Sequence, residues 1–224
     1  MFKEKLLLEA LRRYAGHHVA ERVLRLGNAA FDLGGPTQEM TVMCVEPCVD
    51  PEFREMMKSS GGARARIACW SKILEAIEKN DGVVDGYVGD SVFAYFGAGN
   101  SVNHASLAIA CAVDIVGAAP IPDQPTGTFY PRIGIDTGQV FLGNIGTPER
   151  IKYTIMGDVI NLASRLSCRV NDYGLQVLIS EAAVNSAGTG KAALTTRLNA
   201  VINNGEPLTL FTLANALAAR RQEE

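Results

Sequence analysis

The chain is poor in several features that would narrow its role at once. It carries 5 cysteines in 224 residues, an odd number with no C-x-x-C spacing. Three of them fall inside apolar runs, where cysteine behaves as a small hydrophobe, so they read as reduced thiols and the protein as cytoplasmic. Clustered positive charge is also missing. Lys and Arg total 21 against 24 Asp and Glu, for a net charge of −3, and the only basic pairs that stand out are Arg12-Arg13 and Arg220-Arg221. That balance argues against a nucleic-acid-binding surface. A long uninterrupted apolar run is lacking too. The opening MFKEKLLLEALRRY is broken by Lys3, Glu4, Lys5, Glu9, Arg12 and Arg13, unlike a signal peptide. The most apolar segment, ASLAIACAVDIVGAAPIP, contains Asp114 and ends in Pro120 and Pro122, so it reads as a packed helix rather than a membrane span.

The hydrophobic fraction of 47% is ordinary for an α/β protein, and the length suits one catalytic-sized domain with an appendage. Residues 2–26 place Leu7, Leu11, Tyr14, Val19, Val23 and Leu26 at helical spacing and stop at Gly27. A lone amphipathic helix must bury its stripe, and a second copy of itself is a natural partner. His17 and His18 are adjacent and therefore point to different faces, which makes a shared metal a poor reading beside a solvated face. The expected organisation is an N-terminal dimerisation helix over 1–27, a Gly- and Pro-bearing linker over 28–38, a main domain over 39–215 and a charged tail over 216–224.

Within the main domain, EMTVMCVE reads as a strand, and FREMMKSSGGARARIACWSKILEAIEKN as a helix interrupted at Gly-Gly. Val83 to Phe96 reads as a hairpin, and a second helix starts near Ser101 as N-cap. PRIGIDTGQVFLGNIG alternates in strand fashion, and YTIMGDVINLASRLSCRVNDYG turns at Gly157-Asp158 into a third helix. This order predicts an α/β (α+β) sandwich with a ferredoxin-like βαββαβ core, a mostly antiparallel sheet and C-terminal additions.

The hairpin VVDGYVGDSVFAYFG puts Asp90 at the tip of an otherwise apolar ribbon, while Glu46 ends the preceding strand. In a tight turn an aspartate is often a capping residue. If the two strands are neighbours, however, both carboxylates lie at one edge. Such pairs commonly hold Mg²⁺ for phosphoryl or nucleotidyl transfer, with ions about 3.5 to 4 Å apart.

Taken together, VGDSVFAYFG, RIGIDTGQVFLGNIG and YTIMGDVINLASRL resemble, in order and spacing, the catalytic homology domain of class III adenylate and guanylate cyclases. LRRYAGHHVAERVL is similar to the helix that precedes such domains in bacterial multidomain sensors. The resemblance implies a homodimer with sites shared between subunits, a nucleoside triphosphate substrate, and Mg²⁺ or Mn²⁺. The metal positions would be Asp90 and Glu46, where the family has two aspartates. The transition-state pair of the N-x-A-x-R motif would be Asn161 and Arg165. Residues at i and i+4 share a helix face, so an amide can orient ribose while a guanidinium meets phosphate. The base-reading positions would be Thr154 and Gly86. A diguanylate cyclase would need a G-G-[DE]-E-F string, and none occurs.

The departures from the family pattern gather where turnover would occur. Glu46 adds a methylene, moving the ligand by roughly 1 to 1.5 Å where metal sites hold distances within about 0.2 Å. The family then runs I-x-G-F-T, a loop whose N–H groups hold triphosphate, whereas this chain reads EPCVDP. Pro47 has no N–H, Val49 replaces a glycine that admits phosphate, and Asp50 adds like charge. Gly86 replaces a base-reading lysine, and LNAVINNGEPLTLF lacks the lysine that would face triphosphate, an electrostatic loss often worth several kcal/mol of barrier. The expectation is a homodimeric cyclase-like signalling domain with weak or lost activity, a pseudo-cyclase. The alternative is an active enzyme, adenylate cyclase by default, forming a 3′,5′-cyclic nucleotide and pyrophosphate. On this reading Glu46→Asp alone does not restore turnover, because Pro47 and Val49 remain. Full recovery of cyclic nucleotide formation from that one change would show the loop argument to be wrong.

Overall fold

The structure, a computed structural model, describes residues 2–49, 60–99, 102–118, 129–188, 195–201 and 207–214. The chain divides into two compact units, one formed by residues up to Gln38 together with Val140–Gly157, the other by Glu39–Gln139 and the residues from Asp158 on.

In the first unit the N-terminal segment is two helices rather than the single one predicted over 2–26. Helix α1 (Phe2–Ala15) stops at Gly16, and α2 (His17–Leu26) follows. Gly16 has φ 93°, a conformation that side-chain-bearing residues rarely adopt, so a glycine that the helical pattern would tolerate instead divides it. Beyond α2 a 3₁₀ turn covers Gly27–Phe31. The Asn144 amide donates to the carbonyls of Ala30 at 2.8 Å and Asp32 at 2.7 Å, and Gly34 bridges Asn144 through backbone hydrogen bonds. His17 is exposed and pairs with Glu21 at 3.1 Å. His18 instead packs on Tyr153, with ring centroids 5.9 Å apart, and the Arg22 guanidinium lies 4.8 Å from the same ring.

The second unit is built on a sheet in the order β2-β3-β1-β4-β6-β8-β7. Its strands are β1 (Thr37–Val49), β2 (Val83–Val88), β3 (Ser91–Phe96), β4 (Phe129–Thr147), β6 (Val177–Ser180), β7 (Thr195–Val201) and β8 (Pro207–Leu213). The far half of β4 pairs with β5 (Arg150–Met156) inside the first unit. All pairings with recorded register are antiparallel except β4 with β6, in agreement with the ferredoxin-like expectation.

Side-chain alternation assigns the two faces of this sheet. Met43 and Val45 of β1, Val92, Ala94 and Phe96 of β3, and Ile133 and Ile135 of β4 join one core. That core is covered by α3 (Ser60–Lys79), α4 (His104–Gly117) and α6 (Glu181–Ala187). Gly61 and Gly62 fall in the first turn of α3 and do not interrupt it. Helix α4 starts at His104, with no side-chain cap from Asn103, while the predicted cap Ser101 lies outside the described residues. His104 is buried and its Nδ1 lies 2.8 Å from Thr41 Oγ1, which is itself 2.6 Å from Thr137 Oγ1. This polar clip ties α4 to β1 and β4.

Among the described residues the opposite face carries one α-helix, α5 (Asp158–Arg169), whose Leu166 joins Val170, Leu178 and Leu210 in a second core. Burying each such side chain is worth about 1.5 to 3 kcal/mol. The close approach of α5 depends on Gly134 of β4, where a Cβ would lie 2.0 Å from the Ala163 carbonyl oxygen and 2.5 Å from the Ser167 nitrogen. Backbone cannot yield as a flexible side chain can. Gly134→Ala is therefore expected to cost about 3 kcal/mol, the upper end of overpacking. Gly138→Ala, which meets only a Val159 methyl at 3.0 Å, should cost about 1 kcal/mol or less. Urea unfolding of the two variants side by side checks the contrast.

Candidate active site

The register of β1 against β3 runs from Thr41↔Phe96 to Val45↔Val92. Continued by one position it sets Glu46 opposite Ser91, with Asp90 next along in the turn. The two carboxylate-bearing residues are thus brought to the same end of neighbouring strands. Asp90 is exposed, and Gly89 before it has φ 61°. Helix α3 steadies this tip. The Trp70 indole N–H donates to the Asp90 carbonyl at 3.4 Å, and its ring packs on Tyr87 with centroids 5.7 Å apart. Tyr87 therefore lies half exposed against Trp70. Between Val84 and Gly86 the strand bulges, so Asp85 drops out of the regular alternation that would have assigned its face.

Glu46 faces the α5 side of the sheet. Cys44, two residues earlier, accepts a hydrogen bond from Ser167 of α5 at 3.4 Å, and alternation carries Glu46 to the same face. Arg132 of β4 reaches that face by the same rule from Gly134. The two meet, with Arg132 Nη2 donating to Glu46 Oε1 in an ion pair whose side chains are 18% and 27% exposed. Arg132 Nε is buried and makes no hydrogen bond among the described residues. Arg132 was not singled out from the sequence, yet a signal existed. In RIGID the residues Arg132, Gly134 and Asp136 alternate with two isoleucines, which places a cation on the small, polar face of a buried strand.

Asn161 and Arg165 lie on α5 and are exposed, whereas Ala163 and Leu166 of the same helix are fully buried. The helix thus separates its anchoring face from a polar outer one. Thr154 is placed in β5 opposite Gly143 and is buried, at 5% exposure. Gly86 is half-buried in β2 opposite Phe93. Strand β1 stays extended through Glu46, Pro47, Cys48 and Val49, while Asp50 lies outside the described residues. Residues 202–206, within the stretch that lacks a lysine, also lie outside them.

Burial raises the thiols of Cys44 and Cys69 to about 11 and that of Cys111 to about 12, which keeps them protonated. Among the described residues no group of three or more His, Cys, Asp or Glu is arranged to hold a metal ion, and no helix is long and apolar enough to cross a membrane.

One sheet with helices on both faces thus carries an acidic hairpin tip and, on one helix, an exposed Asn-Arg pair. Residues 70–215, more than half of the chain, match the adenylate and guanylate cyclase catalytic domain, and the chain belongs to that family. Adenylate cyclase 1 of Rhizobium meliloti is 39% identical over 116 residues, covering 49% of this chain and 17% of that protein. The adenylate cyclase of Anabaena cylindrica is 35% identical over 127 residues, 54% of this chain and 24% of its own length. An uncharacterized protein of Mycobacterium tuberculosis is 28% identical over 189 residues, 83% of this chain and 32% of that protein. The chain thus spans between 17% and 32% of the length of these relatives. Among solved structures, a bacterial light-regulated adenylyl cyclase superposes with TM-score 0.78 at 17% identity, covering 96% of this chain and 63% of the other. The guanylyl cyclase Cya2 does so with 0.62 at 22% identity, covering 81% and 94%. At such identities the likeness is one of fold.

Asp136 is a buried carboxyl that the sequence reading passed over. Desolvation raises its pKa from 3.8, only partly opposed by hydrogen bonds from the Ser180 side chain and the Thr137 backbone. The folded chain therefore holds this proton more tightly than the unfolded one. Its contribution to stability is greatest in acid and declines as pH rises through the folded value. Asp136→Asn is expected to be more stable than the parent at neutral pH, and the gap should close as pH falls toward 3.8. Urea melts at the two pH values check the sign.

Proposed function

We propose that the chain is a homodimeric, class III cyclase-like signalling domain whose cyclase activity is weak or lost. The observation that carries this reading is the extended course of β1 from Glu46 through Val49. Backbone drawn out as strand, with a proline inside it, does not gather converging N–H groups around a triphosphate. The carboxylate that would serve as first metal ligand is a glutamate already paired with Arg132. As they stand, the donors at this end of the sheet do not fit a pair of divalent ions.

The exposed Asn161 and Arg165 favour the dimer. They sit on the outer face of α5, where a second copy can meet them, and Asp90 is exposed at a separate tip. In this arrangement Asn161 and Arg165 of one subunit face the hairpin of the other. Thr154 and Gly86 keep the base-reading positions. The exposed Leu6, Leu7, Tyr14 and Leu24 of α1 and α2 supply an apolar surface that a second copy can cover, consistent with a dimerisation role for residues 1–27. The domain over 39–215 then reports the geometry of that pairing.

A second reading, an active adenylate or other nucleoside triphosphate cyclase using Mg²⁺ or Mn²⁺, is favoured by the retained Asp90, Asn161 and Arg165. Assays with each of the four nucleoside triphosphates and either ion are expected to give little or no cyclic product. Robust product from any of them overturns the first reading. Whatever residual activity is present should vanish in Asp90→Ala.

A further inference from the structure

We infer that Arg132 is a built-in cation that takes the place of one divalent ion at Glu46, so that each chain offers a site for at most one metal. The inference rests on the reading that Glu46 and Asp90 mark a cyclase-type metal edge. It goes beyond that reading by naming which ion is missing and what replaced it.

The argument starts from two side-chain contacts between β1 and β4. Thr41 meets Thr137, and five residues on along β1 and five back along β4, Glu46 meets Arg132. The strands are therefore antiparallel and in step over this stretch, and Glu46 and Arg132 are direct cross-strand partners. The extra methylene of glutamate carries its carboxylate toward that neighbour. The pair is largely shielded, at 27% and 18% exposure. In such surroundings a carboxylate needs a permanent counter-charge, and removing one member leaves the other buried and uncompensated.

A divalent ion and a guanidinium compete for the same oxygen lone pairs. The ion must be drawn from solution and shed water, whereas Arg132 is covalently present and always charged. Arg132 meets Glu46 through Nη2, while its Nε is buried and has no partner among the described residues. Asp90, exposed at the hairpin tip, is left as the carboxylate through which a nucleotide-bound ion is met.

The test is a Mn²⁺ titration of the full chain, followed by loss of the free-ion paramagnetic resonance signal, with a non-hydrolysable nucleoside triphosphate present and absent. The unmodified protein is expected to bind no more than one Mn²⁺ per chain. Arg132→Met should expose a second site at least tenfold tighter than any second site of the parent, and adding Glu46→Gln should abolish that gain. Two Mn²⁺ per unmodified chain overturns the inference, as does Arg132→Met binding no more tightly than the parent. If Arg132→Met does not fold, the stoichiometry of the unmodified chain decides alone. Cyclic nucleotide formation by a chain that binds a single Mn²⁺ would sink the weak-activity reading and leave this inference standing.

Discussion

The approach of α5 to β4 at Gly134 is the constraint on which the rest of the second unit depends. A helix backbone lies against a strand backbone where even one methyl group would collide with a carbonyl 2.0 Å away. Because α5 is seated there, Leu166 reaches the second core and Ser167 reaches Cys44. The same seating turns Asn161 and Arg165 outward. It also leaves the end of β1 as the place where polar side chains on this face of the sheet meet one another instead of a helix. The buried anchoring side and the exposed polar side are thus two sides of the same twelve residues.

The polar contacts across β1 and β4 show how a buried strand pair accommodates groups that do not belong in a core. At one end two threonines and His104 satisfy one another. Burial holds the imidazole below its ordinary pKa, and Glu39 only partly offsets this. At the other end the charges of Glu46 and Arg132 cancel. Asp136 lies between them along β4 and has no such ionic partner among the described residues, and desolvation dominates its behaviour. Three polar arrangements on one strand pair therefore differ in how their charge is compensated.

Much of this was legible in the sequence, and the reasons differ from element to element. Strand β3, where Val92, Ala94 and Phe96 face the core, and the strand carrying RIGID alternate with period two, and period-two alternation is a local property. The Asn161-Arg165 spacing on a helix was likewise local. What escaped reading depended on partners distant in the chain. The Glu46–Arg132 pair joins residues that meet only through the sheet order, and burial of Asp136 follows from the seating of a helix that comes later in the sequence. The break at Gly16 escaped for another reason. A single glycine in a helical pattern can be tolerated or can end the helix, and only its dihedral angle tells which.

That break divides the hydrogen bonding of the N-terminal segment in two. The carbonyl of Gly16 accepts the first hydrogen bond of α2, from the Ala20 amide at 3.2 Å, so a new helical ladder starts there. Of the two helices it is α2 that is held against Tyr153, through His18 and Arg22. The hydrogen-bond ladder of α1 therefore does not run on into the helix that carries those contacts.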